Sequence, residues 1–403
     1  MKRTILFFIS TLLLTSISCK EAKKETQKEQ LEMVISDSLK WSDRMAQSIM
    51  KRHPKAVQTG NPNKPSWNYK IGLLLFSFEK LHQETGNNLY YNYVKEYAET
   101  EIDSSGTILS YNKDEYNIDM INSGKILFSL YDKTQDTRYF NALKTLREQL
   151  KGMPRTNSGG FWHKKIYPNQ MWLDGLYMGS PFYAQYNTRY ENGDQLDDIV
   201  KQFRLVYQHT YDEETGMLLH AWDESKQMDW ADKETGKSPN FWSRSMGWFM
   251  MAMVDVLDFI PQEHPGHQEI VGYLNQLSSA LGNQQDVSGL WYQVPNFPTK
   301  EGNYLESSST CMFIYAYAKG VAQGYLPEEY QSKAESAFNA TIEKLITVDT
   351  DGEIHINQVC GSAGLGGNPY RDGSFEYYIG EPIKTDDLHG LGPFILAALA
   401  LDQ

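Results

Sequence analysis

The ten residues Leu81-His82-Gln83-Glu84-Thr85-Gly86-Asn87-Asn88-Leu89-Tyr90 recur in altered form 49 residues later as Leu130-Tyr131-Asp132-Lys133-Thr134-Gln135-Asp136-Thr137-Arg138-Tyr139. In both stretches Leu, Thr and Tyr keep the same spacing, and a short turn separates two runs of helical periodicity. One helix therefore ends at the turn and the next begins at once. Repeats of this size are typical of stacked helical hairpins.

Helical periodicity continues along the rest of the chain. Apolar residues recur at three- and four-residue spacing in twelve segments, which cover residues 37–53, 66–84, 87–103, 116–133, 136–152, 170–188, 194–211, 240–260, 266–282, 306–323, 327–347 and 386–402. These pair into six hairpins. No polar capping repeat is evident at either end, which favours a closed (α/α)6 toroid and leaves an open solenoid as the alternative. The predicted fold class is all-α, an (α/α)6 toroid with small β-hairpins on its active-site rim.

The even-numbered segments are the more apolar ones and are predicted to form the inner ring, as residues 71–76 and 248–254 illustrate. In such a toroid the loops that lead into the inner helices meet at one end, where a site is expected. Strand signals are confined to short pieces such as Gly216-Met217-Leu218-Leu219-His220, which predicts small hairpins at that end.

The N-terminus carries a targeting signal. Lys2 and Arg3 precede an apolar run, residues 5–17, that is too short to span a membrane. The run leads to Ile17-Ser18-Cys19, which resembles a bacterial lipoprotein cleavage box with Cys19 as the lipidated residue; ordinary cleavage and secretion is the alternative. We predict a signal peptide over 1–19, a charged tether over 20–36 and one catalytic domain over 37–403. The predicted location is the cell envelope, at the outer membrane.

Composition limits the partners. The net charge of −13 argues against nucleic acids and anionic membrane surfaces, so an acidic substrate requires cations concentrated at the site. The 26 Tyr and 9 Trp suit surfaces that stack on sugar rings, although an aromatic core explains part of this excess. After Cys19 only Cys311 and Cys360 remain, and whether they pair stays open. No CxxC or HExxH motif indicates a metal.

The strongest candidate for chemistry is Asp174, within Asn169-Gln170-Met171-Trp172-Leu173-Asp174-Gly175-Leu176-Tyr177-Met178-Gly179. An acid among large apolar and aromatic side chains loses hydration, which is expected to raise its pKa and to keep part of it protonated near neutrality, as a general acid requires. The ordinary alternative is an aspartate at a helix start in an aromatic core.

Other polar and aromatic residues lie at or near the predicted starts of inner helices. These are Asp119, His163, His220, Trp242, Arg244 and Trp248. Each has an ordinary explanation, such as an aspartate favoured by the helix dipole or an arginine paired with a nearby carboxylate. Together at one rim they form a pocket suited to a sugar acid, because Arg and His donate hydrogen bonds to a carboxylate, Trp stacks on a ring, and two aspartates transfer protons.

These motifs resemble the unsaturated glucuronyl and rhamnogalacturonyl hydrolases of glycoside hydrolase family 105 and, more distantly, family 88. The resemblance runs from Trp67 to the C-terminus. It rests on Trp67-Asn68-Tyr69, Asn117-Ile118-Asp119, Met171-Trp172-Leu173-Asp174-Gly175, His220-Ala221-Trp222-Asp223, Trp242-Ser243-Arg244-Ser245-Met246-Gly247-Trp248, Ala363-Gly364-Leu365-Gly366 and Arg371-Asp372-Gly373-Ser374-Phe375-Glu376-Tyr377-Tyr378. Ser245-Met246-Gly247 departs from the Gly-Asn-Gly more usual in the family, which affects loop shape more than the reaction.

The resemblance implies action on oligosaccharides that a polysaccharide lyase leaves with a non-reducing-end 4,5-unsaturated uronic acid. An acid protonates C4, water adds at C5, and the resulting hemiketal collapses, so the anomeric carbon is not attacked. By the family pattern Asp174 is the acid and then the base, while Asp119 holds sugar hydroxyls and shifts the pKa of Asp174. The implied substrate-binding residues are Tyr69, His163, His220, Trp242, Arg244, Trp248 and Arg371. The resemblance implies no metal and no cofactor.

The glycines at 361, 364, 366 and 367 do not match a phosphate loop or a dinucleotide fingerprint. They are expected to let a loop turn near the mouth of the site. Arg371, beyond them, either reaches the leaving sugar or is merely solvated.

Three functions remain open at this point. The first is a hydrolase for unsaturated uronyl-rhamnose oligosaccharides, from either rhamnogalacturonan or ulvan. The second is an inverting (α/α)6 glycosidase on saturated chains, which needs a second carboxylate as a base. The third is a non-catalytic sugar-binding outer-membrane lipoprotein, which has no need of the Asp174 carboxylate.

Overall fold

The computed structural model describes residues 34–60 and 66–402. Within these ranges it contains thirteen α-helices: α1 Trp41–Arg52, α2 Tyr69–Thr85, α3 Asn88–Glu101, α4 Ile126–Thr134, α5 Thr137–Gly152, α6 Leu173–Tyr190, α7 Leu196–Thr210, α8 Ser243–Val256, α9 Pro265–Asn283, α10 Ser307–Ala322, α11 Glu329–Leu345, α12 Phe375–Gly380 and α13 Leu388–Ala400. Short 3-10 helices lie at Ala56–Thr59, Lys113–Glu115 and Ile118–Lys125. All twelve predicted segments contain a helix; the short α12 was not predicted.

The inner ring is closed. Helices α2, α6, α8, α10 and α13, together with the 3-10 helix Ile118–Lys125, pack side by side in chain order, and α13 packs against α2 to complete the circle. Helices α3, α5, α7, α9 and α11 lie outside against the inner elements that precede them, while α1 covers α13. The predicted (α/α)6 toroid is confirmed, and the closure excludes an open solenoid.

The repeated turn that opens the sequence has one structure in both copies. At its first copy, Thr85 Oγ1 donates to Leu81 O at 2.7 Å, and Gly86 ends α2 in the left-handed region at φ 68°. At its second copy, Thr134 Oγ1 donates to Leu130 O at 2.6 Å, and Gln135 takes the same conformation at φ 55°. The next residue, Asn87 or Asp136, then caps the outer helix. Each turn therefore sends the chain directly from an inner to an outer helix.

Inner elements approach each other closely. Every residue of α8 is buried. On α2, a Cβ added to Gly72 would lie 2.6 Å from Ser123 Cα, so a side chain there would collide with the 3-10 helix. Polar side chains lock this contact, because Asn122 Nδ2 donates to Tyr69 O at 3.0 Å and Ser123 Oγ donates to Asn68 O at 2.8 Å. These bonds fix the start of α2 against the segment that carries Asp119.

Three small antiparallel pairs complete the described fold. Strands β1 Gln170–Trp172 and β2 Ala221–Asp223 pair with Trp172 opposite Ala221, just before α6. Strands β3 Ile346–Val348 and β4 Ile354–Ile356 form a second pair, and β5 Val359–Cys360 with β6 Ile383–Lys384 a third. A strand was predicted at residues 216–220, but the strand in the structure is β2, which begins directly after them. Within 216–220 only Leu218 makes a β-bridge, to Tyr211.

The predicted tether overlaps the packed domain at its end. Ile35 is buried, and its N–H donates to Asp351 O at 2.8 Å. Cys19 and the predicted signal peptide lie outside the described residues. Cys311 and Cys360 are both buried and unpaired. In the described part of the chain, no helix combines the length and apolarity needed to cross a bilayer.

Replacing Gly72 by Ala is expected to destabilise the protein. The new Cβ would meet the Ser123 backbone at 2.6 Å, so the inner ring must shift, which lowers the free energy of unfolding by about 1–3 kcal/mol. Thermal unfolding followed by circular dichroism measures this change.

The matched control is Gly272→Ala. Gly272 is also helical, within α9, but nothing lies within 4 Å of its added Cβ. This change is expected to raise stability by about 0.5–1 kcal/mol, because Ala favours a helix more than Gly does. Equal losses of stability in both variants would contradict the close packing assigned to Gly72.

Candidate active site

The starts of the inner elements meet at one end of the toroid and carry most of the predicted site residues. Tyr69 begins α2, Asp119 lies in the first turn of the 3-10 helix, Asp174 in that of α6, and Arg244 in that of α8. Contacts between rings and polar groups link them into one cluster. The structure brings together Tyr69, Asp119, His163, Asp174, His220, Trp242, Arg244 and Trp248, with Arg371 on a neighbouring loop.

Asp174 is buried beside His220. It is 9% exposed, and its Oδ2 lies 3.2 Å from Nε2 of His220, which is fully buried. Burial raises the pKa of Asp174, but the nearby charge of His220, helped by His163, outweighs burial and holds that pKa below its ordinary value. The predicted elevation of the pKa of Asp174 is therefore wrong. The sequence showed the apolar neighbours of Asp174 but could not show that two histidines from other segments face it.

The facing atoms of this pair are not otherwise satisfied. Neither Asp174 Oδ2 nor His220 Nε2 has a well-aligned hydrogen-bond partner within the described protein. The other nitrogen of His220 is occupied, since Nδ1 lies 2.7 Å from the Tyr378 hydroxyl. Buried polar atoms left open in this way are costly unless a ligand or solvent completes them. The pair is thus oriented and ready to bind a polar group.

A second carboxylate, Asp119, lies between two basic side chains. Its Oδ1 is 3.3 Å from His163 Nε2, and its Oδ2 is 2.6 Å from Lys164 Nζ. Burial lowers the pKa of His163 to about 4 despite the opposing charge of Asp119, so this ring is neutral at neutral pH. The charge of Asp119 raises the pKa of Lys164, which opposes the effect of burial. Lys164 was missed in the sequence, because it follows His163 in a loop rich in lysine.

Aromatic rings form one wall of the cluster. Trp172 stacks on His163 with centroids 4.4 Å apart and planes 9° apart, and on Tyr167 at 5.1 Å and 14°. Trp242 and Trp248 are each only 1% exposed. They stack on Tyr378 and Tyr177, respectively. Their predicted role as platforms for the sugar ring stays a prediction, and Trp172 is a ring that the sequence analysis did not assign to binding.

Arg244 holds the backbone of a neighbouring loop. Its Nη1 donates to Cys360 O at 2.7 Å and its Nη2 donates to Gly361 O. Glu306, at the start of α10, lies 4.0 Å from Nη1 and accepts from the Cys360 N–H at 2.9 Å. The Nε of Arg244 is buried and has no protein partner among the described residues. Arg244 therefore anchors strand β5, and uronate binding by this residue stays a prediction.

Arg371 is anchored rather than free in solvent. Its Nε donates to Gly366 O at 2.8 Å, and its Nη2 donates to the Tyr167 hydroxyl at 2.9 Å. The predicted tight turn is confirmed by Gly366 and Gly367, whose φ angles are 65° and 84°. A Cβ on Gly364 would lie 2.4 Å from Arg371 Nη1 and 3.2 Å from the Trp172 ring. The loop thus carries Arg371 to the edge of the aromatic wall.

Two polar residues at the start of α13, Asp387 and His389, also belong to the cluster and were not predicted from the sequence. His389 Nε2 lies 2.8 Å from the Tyr69 hydroxyl, and His389 Nδ1 lies 2.7 Å from Asp387 Oδ1. The available signal was position alone, because both residues belong to the start of the last inner helix. In the described ranges, no group of three or more His, Cys, Asp or Glu side chains is placed to hold a metal ion.

Fold and site together define a toroidal enzyme with paired acids and histidines at one end of its inner ring. The family model "Glycosyl Hydrolase Family 88" matches residues 41–402. A glycoside hydrolase from family 105 of C. acetobutylicum is 42% identical, with a TM-score of 0.87 over 90% of this chain and 99% of that one.

Two further relatives carry functional names. The unsaturated rhamnogalacturonyl hydrolase YesR of Bacillus subtilis is 26% identical over 69% of this chain and 77% of its own length. The unsaturated 3S-rhamnoglycuronyl hydrolase of an Alteromonas species is 24% identical over 56% of this chain and 50% of its own length. The chain therefore belongs to the group of glycoside hydrolases formed by families 88 and 105, which confirms the predicted family and enzyme class.

Proposed function

We propose that this enzyme removes a 4,5-unsaturated uronic acid from the non-reducing end of lyase-generated uronyl-rhamnose oligosaccharides by hydrating the C4=C5 double bond. The observation that carries the proposal is the buried pair of Asp174 Oδ2 and His220 Nε2, 3.2 Å apart and each without a well-aligned protein partner. A carboxyl group held in this way can deliver a proton to a ring carbon and recover one from water. Family membership supports the same class of substrate.

The reaction balances with one water molecule and no other reactant. The Asp174 O–H bond breaks as a C–H bond forms at C4, which leaves an oxocarbenium ion between C5 and the ring oxygen. Water adds at C5 and gives a proton to the Asp174 carboxylate. The hemiketal then opens to a C5 ketone, and the hemiacetal at C1 releases the aglycone as an alcohol. Asp174 ends protonated, as it began.

The negative charge of the substrate favours protonation of Asp174. His220 holds the pKa of Asp174 low, so the carboxyl group is ionised at neutral pH. A uronate placed beside Asp174 adds a like charge, which raises the pKa of Asp174 and favours its protonated form. A neutral sugar in the same position lacks this effect. The same repulsion between two negative charges therefore activates Asp174 and distinguishes a sugar acid from a neutral sugar.

Rhamnose at the aglycone position is supported by the names of two relatives, a rhamnogalacturonyl hydrolase and a rhamnoglycuronyl hydrolase. Rhamnogalacturonan and ulvan fragments both fit this description. Arg371 and Lys164 border the Tyr167 ring, at 6.0 Å and 5.9 Å from its centroid, and give this edge the cations that an acidic oligosaccharide requires.

Asp174→Asn is expected to lower turnover about 100-fold or more, because an amide cannot donate and recover the proton. The assay follows loss of the ultraviolet absorbance of the conjugated double bond, with rhamnogalacturonan-lyase and ulvan-lyase digests offered separately. Loss with one digest identifies the substrate in the same experiment.

The matched control is Asp132→Asn, an exposed aspartate in the last turn of α4 that pairs with Arg189. Its turnover should equal that of the wild type. If Asp174→Asn keeps most of its activity, the assigned acid is wrong. If the wild type consumes neither digest, the proposed substrates are wrong, and saturated chains or non-catalytic sugar binding become the better explanations.

The pH dependence of kcat/KM should report the effect of His220 on Asp174. His220 lowers the pKa of Asp174, and the reaction needs the protonated acid, so kcat/KM is expected to fall as pH rises above that pKa. His220→Asn removes the lowering charge, so the falling limb should move to higher pH even if the maximum drops.

His267→Asn serves as the control for this shift. His267 is a buried histidine on α9 that packs against Tyr325 rather than against the acid. Its variant should keep the falling limb in place. An unchanged limb in His220→Asn would show that His220 does not control the acid.

We further propose, from the sequence alone, that the mature protein is anchored in the cell envelope by a lipid on Cys19. Fractionation of cells that produce the wild type and Cys19→Ala tests this. The variant is expected in the soluble fraction and the wild type with membranes, whereas a wild type without lipid would contradict the anchor.

A further inference from the structure

Tyr69, His389 and Asp387 form a chain of close polar contacts where the inner ring closes. The Tyr69 hydroxyl lies 2.8 Å from His389 Nε2, and His389 Nδ1 lies 2.7 Å from Asp387 Oδ1. Tyr69 belongs to the first inner helix and His389 to the last, so the chain exists only because α2 packs against α13. Trp248 presents its ring at a steep angle to both Tyr69 and His389.

Asp387 is fixed by the helix it begins. Its Oδ1 accepts the His389 backbone N–H at 3.1 Å, so the same oxygen caps α13 and faces the imidazole. His389 is only 1% exposed, which limits its ring to few orientations. The two residues form a rigid unit behind Tyr69.

The chemistry of the chain sets the direction of the Tyr69 hydroxyl. His389 Nδ1 lies 2.7 Å from a carboxylate oxygen of Asp387, although the contact is not well aligned as a hydrogen bond. A lone pair on Nδ1 would be repelled by that oxygen, so the His389 proton lies on Nδ1. Burial and the charge of Arg244 lower the pKa of His389 to about 3, against the effect of Asp387, so the ring is neutral and its Nε2 carries a lone pair. The Tyr69 O–H must then donate to Nε2. Its oxygen then acts as an acceptor, which the Ser362 hydroxyl already approaches from the protein side and which a hydroxyl in the site can share.

The oxygen of Tyr69 lies within electrostatic reach of the reacting groups. Burial raises the pKa of Tyr69 most, the charges of Asp119 and Asp174 raise it further, and Arg244 lowers it. Of these two carboxylates, Asp119 has the larger effect. Tyr69 and Asp119 begin neighbouring inner elements, which the bond from Asn122 Nδ2 to Tyr69 O holds together at 3.0 Å. They are therefore two acceptors from adjacent parts of the ring.

We infer that Asp387 and His389 are positioning residues that fix Tyr69 as the acceptor for one ring hydroxyl of the unsaturated sugar, while Asp119 accepts from the adjacent one. This inference rests on the proposed function, because the 4,5-unsaturated uronate keeps two neighbouring hydroxyls, at C2 and C3. These two hydroxyls then donate hydrogen bonds to two acceptors, Tyr69 and Asp119. His389 does not take the proton from water, because its Nε2 faces the Tyr69 hydroxyl and its Nδ1 faces Asp387. That step stays with Asp174.

A double-mutant cycle tests this inference through kcat/KM on the digest that the wild type consumes. His389→Gln should lower kcat/KM about tenfold or more, since a buried acceptor loses its orientation. In the Tyr69→Phe background the same change should have little further effect, because the hydroxyl it orients is gone. Equal losses in both backgrounds would show a merely structural role for His389 and overturn the inference.

Asp387→Asn provides a second route if His389→Gln does not fold. Its loss should also vanish in the Tyr69→Phe background, and additive losses would again overturn the inference. The matched control is Asp386→Asn, whose carboxylate lies 2.6 Å from Nδ1 of a different histidine, His355, outside the site. It should leave kcat/KM unchanged.

The outcomes separate this inference from the proposed function. An active wild type with additive losses overturns the inference and leaves the proposed function standing. A wild type inactive on both digests overturns the proposed function and the inference with it.

Discussion

Closure of the inner ring is the constraint on which the rest of the molecule depends. The packing of α13 against α2 joins the two ends of the chain's helical series and brings the starts of the inner elements to one end. Close approach is built into this ring, as the contact of Gly72 with Ser123 shows. An open array would leave Tyr69 and His389 on separate ends. The site is therefore a product of closure, since no single hairpin contains it.

The same geometry explains the electrostatics of the site. Helix starts carry partial positive charge, and the inner elements direct these starts toward one cluster. Asp174, Asp119 and Asp387 all lie there with a histidine within 3.3 Å of a carboxylate oxygen. A chain with a net charge of −13 can thus bind an acidic sugar, because the attraction is local.

The sequence predicted the fold well because periodicity is a local property. Each predicted segment contains a helix, and the Leu-Thr-Tyr repeat marks two real turns. It also predicted which residues meet, since all except Arg371 lie at or near the entrances to inner elements. The balance of charges around Asp174 was not predictable from the sequence. Asp174 looked like an acid in an apolar setting, but His220 and His163 reach it from other segments and reverse the direction of its pKa shift.

The site residues that were not predicted from the sequence were missed for one physical reason. In the sequence, Asp387 and His389 have the pattern of an ordinary helix cap, and Lys164 that of a solvated loop lysine. Only the fold shows that His389 contacts Tyr69 and that Lys164 contacts Asp119. Helix periodicity carries no information about which residue of another segment a cap will face.

The low pKa of Asp174 is compatible with the proposed role of Asp174 as an acid when the charge of the proposed substrate is included. An acid permanently protonated by an apolar pocket would need no charged substrate and would bind neutral sugars equally well. An acid held ionised by His220 instead has to be protonated, and a neighbouring uronate makes that protonation easier. The proposed preference for sugar acids then arises in the reaction step, because only a charged substrate raises the fraction of enzyme in which Asp174 is protonated. His220, which lowers the pKa of the acid, thereby makes the proposed reaction depend on a charged substrate.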